Sequence, residues 1–282
     1  MGGYSKILVA FDGSDSAINA LKQTFSKFEQ SWIKVLIAVP AYEGDLELVG
    51  VHDLEALLRG PVDDLTKMTQ EIVGSDSSRV SIEAVQGEAF ERIVDMAEKE
   101  SCNLIVMGRR GLHRVERMLM GSVTAKVIVH TTRDILVVPR NANIDWGNIL
   151  LAIDGSEFSN AALDRALEFA GKASGGLTAI SVVDMYPENY ADATEVVEKM
   201  GKKALAVLDD SRAKAEAAGV ELQTQVLHGD PAEEITAYAK KNGAGVVFLG
   251  SRGLSGLKKI FLGSVAEKVI GLSDSPVYVV KP

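Results

Sequence analysis

Gly108-Arg109-Arg110-Gly111, followed after nine residues by Gly121-Ser122, returns 142 positions later as Gly250-Ser251-Arg252-Gly253 and, again after nine residues, Gly263-Ser264. The same offset carries Asp12-Gly13-Ser14 onto Asp154-Gly155-Ser156 and Gly87 onto Gly229. A constant offset across separate landmarks means one domain written twice. In a chain of 282 residues each copy is long enough for a single well-buried core.

Outward from the loops, short apolar runs alternate with helical patterns. The second copy reads as strand Ile149 to Ile153, helix Phe158 to Ala173, strand Leu177 to Val183 and a long helix Thr194 to Ala218 that stops at Gly219. Strand Glu221 to Leu227 follows, then a helix opened by Asp230-Pro231, strand Gly245 to Leu249, a helix from Ser264 and strand Pro276 to Val280. The first copy repeats the order, with strands at Ile7 to Phe11, Trp32 to Val39, Val80 to Gln86, Leu104 to Met107 and Ile135 to Val138. Near-continuous Val, Ile and Leu in such strands specifies parallel strands with helices on both faces, so each copy is a five-stranded α/β unit. We place the copies at 1–140 and 148–282, joined by the polar stretch 141–147 with its two Asn and one Gly. From Pro40 to Pro61 the glycines Gly44, Gly50 and Gly60 interrupt any helical period, and a mobile loop is expected there.

Composition narrows the function classes. With 46% hydrophobic and 24% charged residues and no low-complexity stretch, the chain is an ordinary globular one. A net charge of −9 argues against a nucleic-acid partner, which needs a basic face. No run approaches a membrane span, and Ile7 to Phe11 is too short for a signal-peptide core, so a soluble cytoplasmic protein is expected. The single cysteine, Cys102, precludes an internal disulfide, and His52, His113, His130 and His228 lack ligand-like spacing, so no metal site is expected.

Chemistry concentrates at the strand ends. Asp12 and Asp154 end the first strand of each copy, Gly108 and Gly250 the fourth, 96 residues on in both copies. In open parallel sheets ligands sit beyond the carboxyl ends of strands where the winding reverses. Glycines permit positive φ and close backbone approach to an oxygen-rich group, and Gly121-Ser122 and Gly263-Ser264 open helices whose free amides point at the same place. Arg109, Arg110, Arg114 and Arg117 against Glu116, and Arg252, Lys258 and Lys259, make each loop +3 inside an acidic protein. That is the character of a phosphate site. It is neither a Walker loop nor a dinucleotide fingerprint, because no Gly-Lys-Ser/Thr closes it and no Gly-x-Gly-x-x-Gly follows a first strand.

Strand-Asp-Gly-Ser near the start, Met107-Gly108-Arg109-Arg110-Gly111-Leu112 with Gly121-Ser122-Val123-Thr124-Ala125-Lys126-Val127-Ile128, and the matching run from Leu249 to Ile270 resemble the universal stress protein family in its tandem-domain form. The resemblance covers essentially the whole chain. It implies two Rossmann-like (adenine nucleotide alpha hydrolase-like) domains, each a parallel sheet of order 3-2-1-4-5, with ATP in the crevice. It places Asp12 with Ala38 or Val39, and Asp154 with Val182 or Val183, around the nucleoside. Gly108, Gly111, Gly121 and Ser122, with Arg110 and Val123, would hold the phosphates in the first copy. Gly250, Gly253, Gly263 and Ser264, with Arg252 and Val265, would do so in the second. Two departures are visible: Pro40 stands where the second copy has Asp184, and Arg114 where it has Gly256.

The resulting expectation is an ATP-binding stress-response protein, with ADP and AMP as alternative residents and Mg²⁺ as an optional companion. It would act through conformation or partner choice rather than turnover. Phosphoryl transfer needs a metal held by carboxylates near the γ-phosphate, and apart from Asp12 and Asp154 the loops offer only Glu116. A slow ATPase or autophosphorylating protein is the alternative. The resemblance implies pairing through the last strand, as in single-domain members, and Ile135 to Val138 and Pro276 to Val280 would otherwise be bare sheet edges, so we expect them to join antiparallel as an intrachain pseudo-dimer. A homodimer and an unknown protein partner stay open. Met107 and Leu249, just ahead of the loops, either fill the core or touch the base, and we expect core.

Overall fold

The computed structural model describes residues 4–39, 54–74, 77–111, 120–173, 175–184, 194–254 and 261–282. The first half runs β1 (Lys6–Ala10), α1 (Asp15–Lys27), β2 (Trp32–Val39), α2 (Leu54–Val73), β3 (Val80–Gln86), α3 (Ala89–Lys99), β4 (Leu104–Gly108), α4 (Ser122–His130) and β5 (Asp134–Val138). The second runs β6 (Asn148–Ala152), α5 (Glu157–Ala173), β7 (Gly176–Asp184), α6 (Thr194–Ala217), β8 (Leu222–Gly229), α7 (Pro231–Lys241), β9 (Val246–Gly250), α8 (Ser264–Leu272) and β10 (Val277–Val280).

The strands form one ten-stranded sheet of order β3-β2-β1-β4-β5-β10-β9-β6-β7-β8. Each half therefore has order 3-2-1-4-5, and every pairing is parallel except that of β5 with β10, where Tyr278 lies opposite Leu136. The antiparallel join removes two apolar edges at once. It also merges one face of both halves into a continuous core beneath α1, α2, α5 and α6, containing Ile7, Val106, Leu136, Phe248 and Tyr278. The opposite face divides into two smaller cores, one under α3 and α4 and one chiefly under α7 and α8.

Two sequence expectations change. Helix α2 begins at Leu54, so Gly60 and Pro61 lie inside it rather than in a loop, while residues 40–53 fall outside the described residues. Proline removes one i→i−4 bond, but Leu65, Met68 and Ile72 further along the helix pack on the shared core, and tertiary burial outweighs local propensity. The connecting stretch, read from its Asn and Gly as polar, also carries buried apolar residues. Ala142, Ile144 and Trp146 are buried on alternate positions. Asn19 of α1 donates to the carbonyls of Pro139 and Ala142 at 2.9 and 2.7 Å, strapping the stretch down.

At the join, aromatic rings fill the shared core: Trp146 stacks on Phe169 at 4.3 Å and Phe248 on Tyr278 at 4.5 Å between centroids. Beside them sits the carboxylate of Asp134, its side chain 4% exposed. It accepts from Tyr4 Oη at 2.8 Å, Tyr278 Oη at 3.3 Å, Arg165 Nε at 2.9 Å and the Lys281 amide at 3.0 Å. Donors from both halves thus converge on one acid at the seam.

Candidate functional site

In each half the winding reverses between the first and fourth strands: β1 pairs with β2 on one side and β4 on the other, and β6 likewise with β7 and β9. Beyond their carboxyl ends lies a cavity of ≈ 360 Å³ in the first half and ≈ 390 Å³ in the second, a size suited to a small-molecule ligand. Residues 96 positions apart in sequence, Asp12 and Gly108 or Asp154 and Gly250, share its wall.

The turn after the first strand is left-handed at Gly13 (φ +76°) and Gly155 (φ +81°), a backbone state that favours glycine. It lets Asp12 Oδ1 accept from the Ser14 amide at 3.0 Å and Asp154 Oδ1 from the Ser156 amide at 2.9 Å. Ser14 then caps α1, accepting from the Ala17 amide at 3.3 Å, and donates to the Arg110 carbonyl at 3.2 Å. The other oxygen of each Asp faces the glycine loop. A Cβ on Gly111 would lie 2.5 Å from Asp12 Oδ2, one on Gly253 2.5 Å from Asp154 Oδ2, and Asp154 Oδ2 accepts from the Leu254 amide at 3.1 Å. The aspartate is therefore a clamp between strand-end turn and glycine loop.

The glycines do not serve the single purpose expected from sequence. Among the described residues the left-handed ones include Gly13, Gly87, Gly155 and Gly229, and none of the six signature glycines. Gly108 and Gly250 admit the first helix of each half, since a Cβ there would come within 2.7 Å of Ser16 Cβ or 2.6 Å of Phe158 Cβ. Close approach, not dihedral freedom, selects them.

Gly121 and Gly263 are the N-cap residues of α4 and α8, and neither helix has a side-chain cap. Ser122 and Ser264 thus sit at the first helical position in the cavity wall rather than acting as caps. The first i→i−4 bonds run from Ala125 to Gly121 and from Glu267 to Gly263, which leaves the amides of residues 122–124 and 264–266 without intrahelical partners. With the positive helix end behind them, these amides suit an oxyanion.

Arg110 and Arg252 line their cavities, as do Val123, Val265, Ala38, Val39 and Val182. Two expected residues go elsewhere. Arg109 reaches across the seam to the carbonyls of Ser273 and Gly271 at 2.6 and 3.2 Å, neutralising the C-terminal end of α8 instead of a ligand. Val183 is 2% exposed and outside the cavity wall, because side chains alternate along a strand and its neighbours Val182 and Asp184 take the cavity-facing side. Arg114, Glu116, Arg117, Gly256, Lys258 and Lys259 lie outside the described residues. Met107 and Leu249, each 4% exposed, belong to the cores and also form cavity floor.

Sequence reasoning missed the contribution of Leu65 and Ile93 to the first cavity and of Pro231 and Ile235 to the second, whose wall also contains Asp184. Only Asp184, a carboxylate closing an apolar strand, left a visible signal. Burial, and then the nearby Asp230, raise its carboxyl above the ordinary range. Asp230 is itself held low, against the effect of burial, by the Glu233 amide and Lys268. Among the described residues no cluster of metal-ligating side chains forms, and no helix is long and apolar enough to cross a membrane.

The model of the universal stress protein family matches residues 3–139 and again 146–281. The chain is 36% identical over 149 residues to universal stress protein YxiE of Bacillus subtilis, covering 48% of this chain and 99% of that protein. A universal stress protein of Mycolicibacterium smegmatis is 27% identical over 233 residues, covering 79% of this chain and 76% of its own. The crystal structure of a universal stress protein from Archaeoglobus fulgidus shares the fold, with a TM-score of 0.70 at 22% identity over 99% of each chain. Two consecutive matches of the family model, on a sheet whose halves repeat one strand order, mean that the chain belongs to the universal stress protein family and carries two of its domains in tandem.

Proposed function

We propose that this chain binds an adenine nucleotide, ATP in the first instance, in each of its two cavities and acts through occupancy rather than turnover. One observation carries the reading: in both halves an uncapped helix N-terminus, a glycine-lined approach and an arginine meet at one end of a cavity whose remainder is largely apolar. Phosphate and a flat base need those two environments in that order. Binding is placed ahead of hydrolysis because Asp154 engages both oxygens with the amides of Ser156 and Leu254, a structural tie rather than a free base. Regulation would follow if the glycine loop, clamped to the strand-end turn through that Asp, shifts when phosphate arrives.

Isothermal titration with ATP tests this directly, together with mass spectrometry of nucleotide released on denaturation. Saturable binding approaching two nucleotides per chain is expected, lost in the double variant Gly121→Val, Gly263→Val. Absence of saturable binding to the intact chain overturns the reading. Sustained Mg²⁺-dependent phosphate release, lost in Asp12→Ala, Asp154→Ala, would replace it with the enzymatic one.

A further inference from the structure

A third cavity, of ≈ 260 Å³, opens at the seam and shares no wall residue with either strand-end cavity. It lies where the amino ends of β1, β4 and β5 meet the carboxyl end of β10. Its wall is built of polar side chains, among them Asn103, Thr132 and Arg133 from the first half and Arg165, Glu168 and Lys281 from the second. Both acids of the wall are already matched. Asp134 receives the four donors named above, and Glu168 accepts from Arg165 at 2.9 Å through one oxygen and from Lys172 at 2.7 Å through the other.

The donors are not matched. Among the described residues the Arg133 side chain makes no ion pair or hydrogen bond, and its Nε is buried without an acceptor. Asn103 uses its carbonyl oxygen to accept from Ser5 Oγ at 3.1 Å, which leaves its side-chain N–H groups to face the cavity. The sheet register adds a second cation. Val279 lies opposite Ile135, and two residues further the same pairing sets Lys281 across from Arg133 on one side of the sheet. Like charges so placed repel. Burial, and then the Arg252 charge, lower Lys281 to about 8 although Asp134 opposes them. The Ile128 carbonyl accepts from its ammonium, which has three hydrogens to give. Desolvated donors without acceptors cost free energy until an anion arrives.

Joining the two halves does not by itself require these cations. At the equivalent place across the seam, 142 residues on or back, Arg133 is matched by Ser275, Asp134 by Pro276, Arg165 by Gln23 and Lys281 by Pro139. Ser275 Oγ donates to the Ala244 carbonyl at 2.7 Å, while Gln23 accepts from the Ile144 amide at 2.9 Å and donates to Asn143 at 3.0 Å. That end of the join is closed by neutral groups and by the connecting stretch.

We propose that the seam cavity binds a small phosphate-type dianion, free or as the end group of a small ester, with Arg133 as its principal ligand and Asn103, Thr132 and Lys281 as further donors. Donors arriving from before β4, before β5 and after β10 suit a tetrahedral anion better than a planar carboxylate, whose two oxygens lie on one side. The anion touches both halves, so its occupancy favours the joined sheet by mass action. The inference does not rest on the nucleotide reading.

The test is calorimetric titration of the full chain with inorganic phosphate near neutral pH, where Lys281 is charged, at constant ionic strength set with chloride. One saturable event is expected, weakened about tenfold or more in Arg133→Met by loss of a charge-assisted pair. Arg133→Lys, which keeps the charge without the planar fork, should retain part of the affinity. The event should persist in the double variant Gly121→Val, Gly263→Val, which alters only the strand-end cavities, and circular dichroism confirms that each variant folds. Glycerol 3-phosphate distinguishes the source: tighter binding than phosphate marks an ester, weaker binding the free ion, and either supports the site if Arg133→Met removes it. Phosphate affinity unchanged in Arg133→Met, succinate binding as tightly as phosphate, or no saturable event beyond the chloride control overturns the inference. So does an event that survives Arg133→Met and vanishes in the glycine double variant, because the phosphate then sits in the strand-end cavities.

Discussion

Asp134→Ala should loosen the seam between the halves more than any comparable change at the surface. The carboxylate is 4% exposed and receives Tyr4 Oη, Tyr278 Oη, Arg165 Nε and the Lys281 amide. Removing it does not strand all four. Arg165 is 35% exposed and keeps Glu168 at 2.9 Å, so its loss is screened by water and contributes little. Tyr278 Oη can still donate to Tyr4 Oη, leaving one hydroxyl proton and the Lys281 amide without acceptors in a buried site. At about 1–3 kcal/mol for each unsatisfied group, the expected loss is about 3 kcal/mol. With a urea m-value of roughly 3 kcal/mol/M, the unfolding midpoint falls by about 1 M. Urea denaturation followed by tryptophan fluorescence reads this at Trp146, which stacks in the same core. Arg165→Met serves as the contrast and should move the midpoint by less than about 0.3 M, because the lost pair is partly solvated. A drop of less than about 0.3 M for Asp134→Ala, an effect under about 1 kcal/mol, would refute the view that this acid holds the two halves together.

Stability should also depend on pH through the same seam. Burial, aided by Arg252, lowers Lys281 from 10.5 to about 8, so between about pH 8 and 10.5 the unfolded chain binds more protons than the folded one and stability rises with pH. The gain is about 2–3 kcal/mol at most, should vanish in Lys281→Met, and is opposed as pH passes about 10. There burial holds Tyr4 and Tyr278 protonated in the fold while their unfolded forms ionise. Urea midpoints that stay flat from pH 7.5 to 9.5 in the unmodified chain would contradict this assignment. Gly253→Ala places a Cβ 2.5 Å from Asp154 Oδ2. It should cost about 1–3 kcal/mol of stability and weaken ATP at the second site without touching the first, as separable binding events in calorimetry would show.

The sequence by itself determined the duplication, the alternation of strands and helices, the parallel character of each half and the addresses of the strand-end aspartates and helix-opening glycines, while the strand order came from the family resemblance. All of these rest on local signals: apolar periodicity, turn chemistry and a fixed offset between copies. Antiparallel pairing of β5 with β10 was expected too, from the resemblance, whose single-domain members pair through the last strand, together with the apolar character of both edges. Function for each residue was less legible, since it depends on what arrives from distant parts of the chain. Gly108 and Gly250 look like loop glycines and prove to be contact points for α1 and α5. Arg109 counts in sequence toward the positive charge of the first loop, yet its guanidinium meets carbonyls 162 and 164 residues away. Gly60 and Pro61 signal a break that the buried face of α2 overrides. Tertiary structure alone decided the buried acid at the seam and the unmatched guanidinium of Arg133 beside it, because pairing and burial of a polar atom are properties of its neighbours in space rather than in sequence.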